Sequence, residues 1–305
     1  MYAGIQRTVK GQIAMLTAVK YYCRQNDESP IKVEGIPAIN VYVRLQNVCN
    51  ASCGFCEFRG EAKQFDEEKF KNLITKLHKS NKYRINKLSF TGGEPTLDFG
   101  LFKRMLDFVN NLDEDIFTVV NTNGLHLKEL SELNINSIAL SRHHYNDEIN
   151  RLIFHTEVPT TEEIRNVRKD NLHLSCNLCR DYIGTDEEIH KYLDWCGKCG
   201  IKDVGFVGLM NVNDFCKNQY VNIDIISDIA EKSKRILKTK SRSSYDGDKI
   251  TCKCANYVYA GDDNLVSFYC RHYVCNNKES ILVYDIDTFK HGFAGENLDS
   301  WLSSL

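Results

Sequence analysis

Between residue 39 and about residue 210, the apolar residues follow two alternating patterns. Short β-rich runs are separated by longer stretches in which apolar residues recur three and four positions apart. The runs predict strands, the stretches predict amphipathic helices, and their alternation is typical of a parallel sheet built from βα units. We predict six strands, at residues 39–44, 87–90, 116–121, 136–141, 171–176 and 203–208.

The predicted helices have recognisable first and last residues. Asp66 can cap the helix after the first strand, and Thr160 and Thr185 each stand three positions before a glutamate, as in a capping box. Gly200 occupies the place of a C′ glycine after the helix that Thr185 begins. In parallel α/β architectures the active site lies at the C-terminal ends of the strands, so we expect the site residues there.

The segments outside this alternation predict three further regions around a barrel domain at residues 37–212. Residues 1–36 form an extension with one predicted helix, at 11–24. Residues 213–250 predict a linker with a helix at about 223–237, and the basic run at 232–240 is interpreted as the solvated face of that helix. In residues 251–305, strand-like runs at 257–259 and 265–269 flank a turn and predict a small cysteine-rich β-hairpin region.

Composition narrows the class of protein. The 305-residue chain has a net charge of −2, and it shows no long apolar run, no signal peptide and no basic region with interleaved aromatics. We therefore expect a cytoplasmic enzyme without a membrane or nucleic-acid partner. The 13 cysteines, an odd number with several in metal-like spacings, favour reduced thiolates over a disulfide framework.

Three cysteines carry the strongest chemical signal. Cys49, Cys53 and Cys56 form a C-x3-C-x2-C motif directly after the first predicted strand. Soft thiolates hold iron–sulfur clusters, and three on one short loop leave the fourth iron of a cubane cluster open to another ligand. A structural zinc site would close with a second pair of Cys or His ligands, and no such pair follows within about 40 residues.

A second motif, about 35 residues after the last of these cysteines, adds to this signal. After the second predicted strand the chain reads Gly92-Gly93-Glu94, where paired glycines allow close backbone approach and a glutamate can bind an ammonium group. In this order and spacing, with Phe55 before the last cysteine, the two motifs resemble the radical S-adenosylmethionine (SAM) superfamily. The resemblance implies a partial (β/α)6 barrel, a 4Fe-4S cluster with SAM on its open iron, and an electron donor such as flavodoxin or ferredoxin.

The resemblance also implies SAM-binding residues at other strand ends. Asn123 follows the third strand and is either a ligand of SAM or an ordinary Asn-Gly turn former. Arg142 ends the fourth strand with a guanidinium that suits a carboxylate, and His143 after it is either a substrate contact or a loop histidine. The predicted cofactor-binding residues are Phe55, Gly92, Gly93, Glu94, Asn123, Ser141 and Arg142.

Three isolated cysteines are candidate catalytic residues. Cys176 and Cys179 lie at and just after the end of the fifth strand, and Cys216 follows the sixth. Each is either an apolar filler of the core or, as in radical SAM epimerases, a hydrogen-atom donor to a substrate radical.

The predicted hairpin has cysteines at both ends. The set Cys252, Cys254, Cys270 and Cys275 resembles the twitch or half-SPASM region that binds an auxiliary 4Fe-4S cluster after some radical SAM barrels. A zinc knuckle is the structural alternative. Because the Cys252–Cys254 spacing is tighter than usual, Cys216 is an alternative ligand in place of one of them.

The resemblance implies reductive cleavage of SAM to a 5′-deoxyadenosyl radical that abstracts hydrogen from a substrate. We favour oxidation or epimerisation of a small molecule or natural product, because the chain shows no separate peptide-recognition domain. The alternatives are a peptide-modifying radical SAM enzyme and a non-catalytic two-cluster electron carrier, and the carrier would have no need of Gly92-Gly93-Glu94. Motifs alone do not identify the substrate.

Overall fold

Strands and helices alternate between residues 38 and 208 in a computed structural model. The structure describes residues 38–57, 60–80, 82–241, 245–246, 249–250, 253–262, 264–271, 281–291 and 297–303. The helices are α1 Glu67–Lys79, α2 Phe99–Leu112, α3 Leu127–Ser131, α4 Asp147–Phe154, α5 Thr161–Asn166, α6 Asp186–Lys198, α7 Asp214–Gln219, α8 Ile225–Lys232 and α9 Asp299–Ser303. The predicted helix at 11–24 lies outside the described residues.

All six predicted strands are present; the first, second and fifth are longer than predicted, and the other three agree to within one residue at each end. They are β1 Ala38–Gln46, β2 Arg84–Gly92, β3 Phe117–Thr122, β4 Ser137–Ser141, β5 Leu172–Leu178 and β6 Asp203–Gly208. Each pairs in parallel with the next in chain order. The α/β class and the parallel sheet are therefore confirmed, and the C-terminal ends of all six strands meet at one edge.

The predicted helix ends are also confirmed. Asp66 accepts a hydrogen bond from the backbone N–H of Lys69 at 3.0 Å, as an N-cap does. The capping box of Thr160 and Glu163 forms in both directions. Gly200 has φ +74°, the left-handed conformation that a glycine after a helix adopts without strain.

The predicted helix at 223–237 is wrong beyond Lys232. The chain there forms strand β7 Ile236–Ser241, which pairs antiparallel with β10 Ala255–Ala260. The lysines interpreted as a helix face therefore belong partly to an edge strand, where exposed charge discourages pairing with other chains. The local sequence pattern of this segment suits a helix or a strand. Pairing with β10, which lies later in the chain, determines that it forms a strand.

The cysteine-rich tail forms the predicted hairpin and joins the main sheet. Its strands β10 and β11 Leu265–Arg271 pair antiparallel, and β11 then pairs in parallel with β6. On the other side β12 Ile281–Asp285 pairs in parallel with β1 and antiparallel with β13 Thr288–His291. The short strands β8 Tyr245–Asp246 and β9 Lys249–Ile250 form a separate pair.

The main sheet consequently has 11 strands in the order β13-β12-β1-β2-β3-β4-β5-β6-β11-β10-β7. Its two ends are β13 and β7, so the sheet is open in the described part of the chain. Alternate residues of β1, among them Val41, Val43 and Leu45, belong to the hydrophobic core. Successive side chains of a strand face opposite sides, so Arg44 faces the other side of the sheet.

None of the helices in the described ranges combines the length and the apolar composition that a bilayer crossing requires.

Candidate functional site

The cysteine loop, residues 47–57, leaves the C-terminal end of β1. The N–H of Cys56 donates to the carbonyl of Cys53 at 3.1 Å, and the N–H of Ala51 approaches the Sγ atom of Cys49 at 3.3 Å. The N–H of Ser52 donates to the carbonyl of Phe154 at 3.0 Å, which ties the loop to the end of α4. Main-chain contacts therefore hold the loop in place.

The glycine pair lies against this loop. The N–H groups of Gly93 and Glu94 donate to the carbonyls of Gln46 and Val48, at 2.8 and 3.0 Å. A Cβ atom on Gly93 would lie 1.9 Å from the Val48 carbonyl oxygen. Gly92 has φ +131°, and a Cβ atom there would lie 2.1 Å from the Gln46 oxygen. Only glycine permits this approach, so the structure explains why the motif has two glycines.

Glu94 is 1% exposed and is held by donors from two strand ends. Its Oε1 atom accepts from the hydroxyls of Thr96 and Thr122, at 2.6 and 2.8 Å, and its Oε2 atom accepts from the N–H of Asn123 at 2.8 Å. Burial raises the pKa of the Glu94 carboxyl, and these hydrogen bonds oppose the rise. The carboxyl group is thus fixed in one orientation at the edge of the sheet.

Asn123 connects Glu94 with the cysteine loop. Its amide nitrogen donates to Asn50 Oδ1 at 2.8 Å and lies 3.8 Å from the Sγ atom of Cys49. Its Oδ1 atom accepts from the N–H of Leu125 at 3.1 Å, so the residue also forms the turn. Burial raises the pKa of the Cys49 thiol, and the charges of Glu94 and Cys56 raise it further. The carboxyl group of one motif therefore lies close enough to the thiol of the other to affect its pKa.

A cavity of about 470 Å³ opens beside the last cysteine of the loop. It lies on the side of the sheet that we call the cavity face, at the C-terminal ends of β1, β5 and β6. Arg44 and Asn177 are polar lining residues that the sequence motifs do not indicate, although strand alternation could have placed Arg44 there. The lining consists of Arg44, Phe55, Cys56, Glu57, Asn177, Val207, Gly208, Leu209, Met210 and Val212.

Phe55 lines this cavity and packs on a buried histidine. The rings of Phe55 and His143 meet edge to face with centroids 4.9 Å apart, and His143 stacks on Phe154 at 5.0 Å. The Nδ1 atom of His143 accepts from the N–H of Asn177 at 3.0 Å. Burial, with a contribution from the Arg142 charge, lowers the pKa of His143 to about 3. The ring is thus neutral near pH 7 and carries its proton on Nε2.

Arg142 directly follows β4, at the strand end where the sequence places it, and its guanidinium makes several internal contacts. Its guanidinium is 1% exposed and donates to the carbonyls of His144 and Pro159, at 2.7 and 2.8 Å, and also to Asp147. It also lies 4.9 Å from the ring centre of Trp195. These contacts engage the guanidinium within the protein, and its role as a ligand of a cofactor carboxylate stays a prediction. Ser141 ends β4 and pairs with Ser175 in register.

Cys176 lies on β5, one residue before a residue that lines the cavity. It is fully buried in the hydrophobic core and its thiol contacts Tyr192 of α6. The next residue, Asn177, lines the cavity. Because neighbouring side chains of a strand face opposite sides, Cys176 points away from the cavity, and its role as a hydrogen-atom donor stays a prediction.

Cys179 and Cys216 come together beside the cysteine loop. Burial raises the pKa of Cys179 to about 12, and the nearby Cys216 adds to the rise. The Sγ atom of Cys216 lies 3.7 Å from the carbonyl oxygen of Phe55, and Asn213 donates to the carbonyl of Gly54 at 3.0 Å. Both thiols thus lie at the edge of the sheet where the first cysteine motif lies.

The hairpin brings together two of the four tail cysteines. Cys254 and Cys270 are buried, and their side chains are hydrogen-bonded to each other. That hydrogen bond lowers the pKa of Cys270 although burial opposes it, and the N–H of Ala255 also approaches its Sγ atom, at 3.4 Å. Because β11 runs parallel to β6, Cys270 lies toward the same edge as the cavity. Cys252 and Cys275 lie outside the described residues.

The donor chemistry at the first motif fits an iron–sulfur cluster. Three thiols stand on one short loop, and Gly93 brings the carboxyl-bearing turn into backbone contact with it. Within the described ranges, no three His, Cys, Asp or Glu side chains are arranged around a common metal-ion position. The fit therefore rests on the soft donor set and the glycine contact.

Comparisons of sequence find relatives that match about a third of this chain. A probable GTP 3',8-cyclase of Thermoplasma volcanium is 26% identical over 120 residues, which cover 37% of this chain and 36% of that protein. The putative peptide biosynthesis protein YydG of Bacillus subtilis is 29% identical over 110 residues, which cover 33% and 34%. Each alignment thus spans about a third of the relative's length.

Comparisons of structure find the same fold in a solved protein. Streptococcus suis SuiB, solved with S-adenosylmethionine, superposes with a TM-score of 0.53 at 16% identity, covering 71% of this chain and 51% of SuiB. A family model described as the radical SAM superfamily matches residues 43–196, just over half of the 305 residues. With its cysteine loop and its glycine-glutamate turn in contact, this chain belongs to the radical SAM superfamily.

Proposed function

We propose that Cys49, Cys53 and Cys56 hold the 4Fe-4S cluster on which the superfamily depends, and that Glu94 anchors the ammonium group of SAM beside it. The observation that carries this proposal is the hydrogen-bonded path from Glu94 through Asn123 to Cys49. When bound, the cluster supplies the electron, received from a donor such as flavodoxin or ferredoxin, that cleaves SAM to a 5′-deoxyadenosyl radical.

The cavity residues hold the substrate and exclude water. Val207, Leu209, Met210 and Val212 provide apolar walls, and dry walls protect a carbon radical from side reactions. Phe55 covers the cysteine loop on the cavity side, and His143 keeps that ring in place by edge contact. The reacting carbon of the substrate is thus held beside the loop that carries the cluster.

The tail cysteines are proposed to bind an auxiliary 4Fe-4S cluster. Support comes from the contact between Cys254 and Cys270 and from the place of β11 next to β6. Cys252 and Cys275 would complete the four thiolates. Cys216 is not included, because its thiol packs on the Phe55 carbonyl and near Cys179.

The proposed reaction is oxidation or epimerisation of a small molecule or natural product. A second candidate is modification of a peptide. It is favoured by the relative YydG, which is named as a putative peptide biosynthesis protein, and by SuiB, which has been solved with its precursor peptide. In either case the reacting group must enter the cavity of about 470 Å³.

Glu94→Gln should weaken SAM binding by roughly 10- to 100-fold, because a neutral amide replaces the charge that pairs with the ammonium group. SAM affinity is measured by equilibrium dialysis on the anaerobically reconstituted protein, and 5′-deoxyadenosine is measured after addition of dithionite. The visible absorption of the cluster should be unchanged.

The control for this variant is Glu68→Gln, which changes an exposed glutamate on α1. It should bind and cleave SAM like the wild type. Wild-type SAM affinity in Glu94→Gln, or an equal loss in the control, would show that Glu94 is not the anchor.

Variants of Cys179 and Cys216 can distinguish an epimerisation from an oxidation. Burial raises the pKa of Cys179 to about 12, so its thiol keeps its hydrogen at neutral pH and can return a hydrogen atom to a substrate radical, and Cys216 near it is the second candidate donor. In D2O we expect solvent deuterium at the product carbon. In Cys179→Ala or Cys216→Ala, product should fall at least about tenfold while 5′-deoxyadenosine still forms.

Cys176→Ala serves as the matched control, since it removes a buried thiol from the opposite face of β5. Measurement requires a substrate, found by its ability to stimulate 5′-deoxyadenosine formation. Product without solvent deuterium, formed normally by both Cys179→Ala and Cys216→Ala, would rule out epimerisation and leave oxidation.

A further inference from the structure

Asn177 is the last residue but one of β5 and lines the cavity. On the side of β5 and β6 the other lining residues are Val207, Gly208, Leu209, Met210 and Val212. Cys176, the residue before it, packs in the core against Tyr192, so the side chain of Asn177 faces the cavity. Among the described lining residues, this wall therefore carries one polar side chain, a neutral carboxamide.

The side-chain amide of Asn177 has no partner among the residues that the structure describes. The main chain of the residue is engaged, because its N–H donates to His143 Nδ1 at 3.0 Å. No described residue donates to its Oδ1 atom or accepts from its Nδ2 atom. Neither of these two atoms is fully buried, so both are open to the cavity. A donor and an acceptor are thus available to a bound molecule.

The position of this amide is fixed by its surroundings. The ring of His143, which accepts from the Asn177 N–H, meets Phe55 edge to face and stacks on Phe154, with centroid distances of 4.9 and 5.0 Å. In the sheet, Asn177 is in register with Val207 of β6. A polar group on a rigid support loses little conformational freedom on binding, which favours specific recognition.

The chemistry of a carboxamide limits what it can recognise. It has an acceptor oxygen and an NH2 donor side by side in one plane. Its complement is another amide edge, which is either a primary carboxamide or the N–H and C=O of one residue in an extended peptide. An ester offers no N–H, so it leaves the Oδ1 atom of Asn177 unpaired. Against an apolar wall, an unpaired polar group weakens binding.

We propose that Asn177 recognises an amide group of the substrate through paired hydrogen bonds. Its Oδ1 atom accepts from the substrate N–H, and its Nδ2 atom donates to the substrate carbonyl oxygen. This inference rests on the proposed function, because it takes the cavity to be the substrate site. It adds a chemical requirement: the substrate carries an amide, and the apolar wall of β5 and β6 holds the apolar group beside it.

The test uses two pairs of probes that differ in the amide nitrogen. The first pair is 4-methylpentanamide and methyl 4-methylpentanoate. The second pair is N-acetyl-L-leucine methylamide and its depsipeptide analogue, in which oxygen replaces the leucine N–H. Binding to the reconstituted full chain is measured by calorimetry in the presence of excess SAM. In at least one pair the wild type should bind the amide about tenfold or more tightly than the ester.

Asn177→Leu replaces the amide with an apolar group of similar size. It should bind the two members of that pair with affinities within about threefold of each other. Val207→Ala is the matched control, because Val207 is in register with Asn177 and lines the same wall. This control loses apolar contact with both members of the pair, so the ratio of amide to ester affinity should stay as in the wild type. Thermal unfolding shows that each variant is folded.

The pair with the larger ratio identifies the source of the amide, a small carboxamide or a peptide main chain. The inference is overturned if the wild type binds no probe or binds amide and ester equally, if Asn177→Leu keeps the preference, or if Val207→Ala loses it. SAM affinity is measured for both variants by equilibrium dialysis. A loss of SAM affinity in Asn177→Leu as large as its loss of amide affinity would assign the residue to SAM and overturn the substrate assignment.

Failure of this inference and failure of the proposed function give different results. Probe binding needs no electron and no turnover, whereas the proposed function is tested by dithionite-dependent cleavage of SAM. Cleavage without an amide preference contradicts only the role of Asn177, and an amide preference without cleavage contradicts only the proposed function.

Discussion

Replacing Cys49, Cys53 and Cys56 together with alanine should lower the iron content from about eight to about four per chain and abolish SAM cleavage. The thiolates are the ligands of the proposed SAM-binding cluster, and without them SAM has no iron to bind. Iron and sulfide are counted after anaerobic reconstitution, and 5′-deoxyadenosine is measured after reduction with dithionite.

The complementary variant changes Cys254 and Cys270 together. It should also retain about four irons, but it should keep the ability to cleave SAM in the absence of substrate. Cys176→Ala, which removes a thiol outside both sites, should retain all iron. Only one cluster in the wild type would contradict the auxiliary site, and full iron in the triple variant would contradict the main one.

Gly93→Ala should disrupt the site although it changes no ligand. A Cβ atom at this position would lie 1.9 Å from the Val48 carbonyl oxygen, and the nearest atoms all belong to the main chain of Val48 and Cys49, so no flexible side chain can move aside. The turn and the cysteine loop must separate, which should cost about 3 kcal/mol or more in stability and reduce SAM binding strongly. Thermal unfolding and equilibrium dialysis measure the two effects.

Gly100→Ala is the matched control for this substitution. Gly100 lies in α2, and the nearest atoms to an added Cβ there are 3.4 Å away, at the side chains of Arg104 and Asp98. Alanine should be neutral or stabilising by up to about 1 kcal/mol, because it favours helix. Normal unfolding and SAM affinity in Gly93→Ala would show that the cysteine loop does not depend on this close contact.

The local pattern of the chain was sufficient for much of the architecture. Six strands, the cap at Asp66 and the glycine end at Gly200 all follow from interactions within a few residues. The cysteine loop and the glycine-glutamate turn were equally readable, since the chemistry of each is contained in a short segment. The segment after Lys232 was misread because its conformation depends on pairing with β10, far along the chain.

The direction of side chains at the site needed the tertiary structure. An Arg at a strand end suits a carboxylate ligand, yet Arg142 is enclosed by carbonyls, Asp147 and Trp195. Cys176 and Asn177 are neighbours in sequence, and only the position of the sheet between cavity and helices decided which one faces the cavity.

The sequence by itself determined the βα alternation, the two motifs of the superfamily and the hairpin in the tail, because each depends on local periodicity or spacing. The tertiary structure decided that the hairpin extends the sheet next to β6, that Cys179 and Cys216 lie near each other, and that Arg44 faces the cavity with Asp285 beside it. These features join residues from distant parts of the chain, and the free energy that selects them comes from strand pairing and burial, which no single segment encodes.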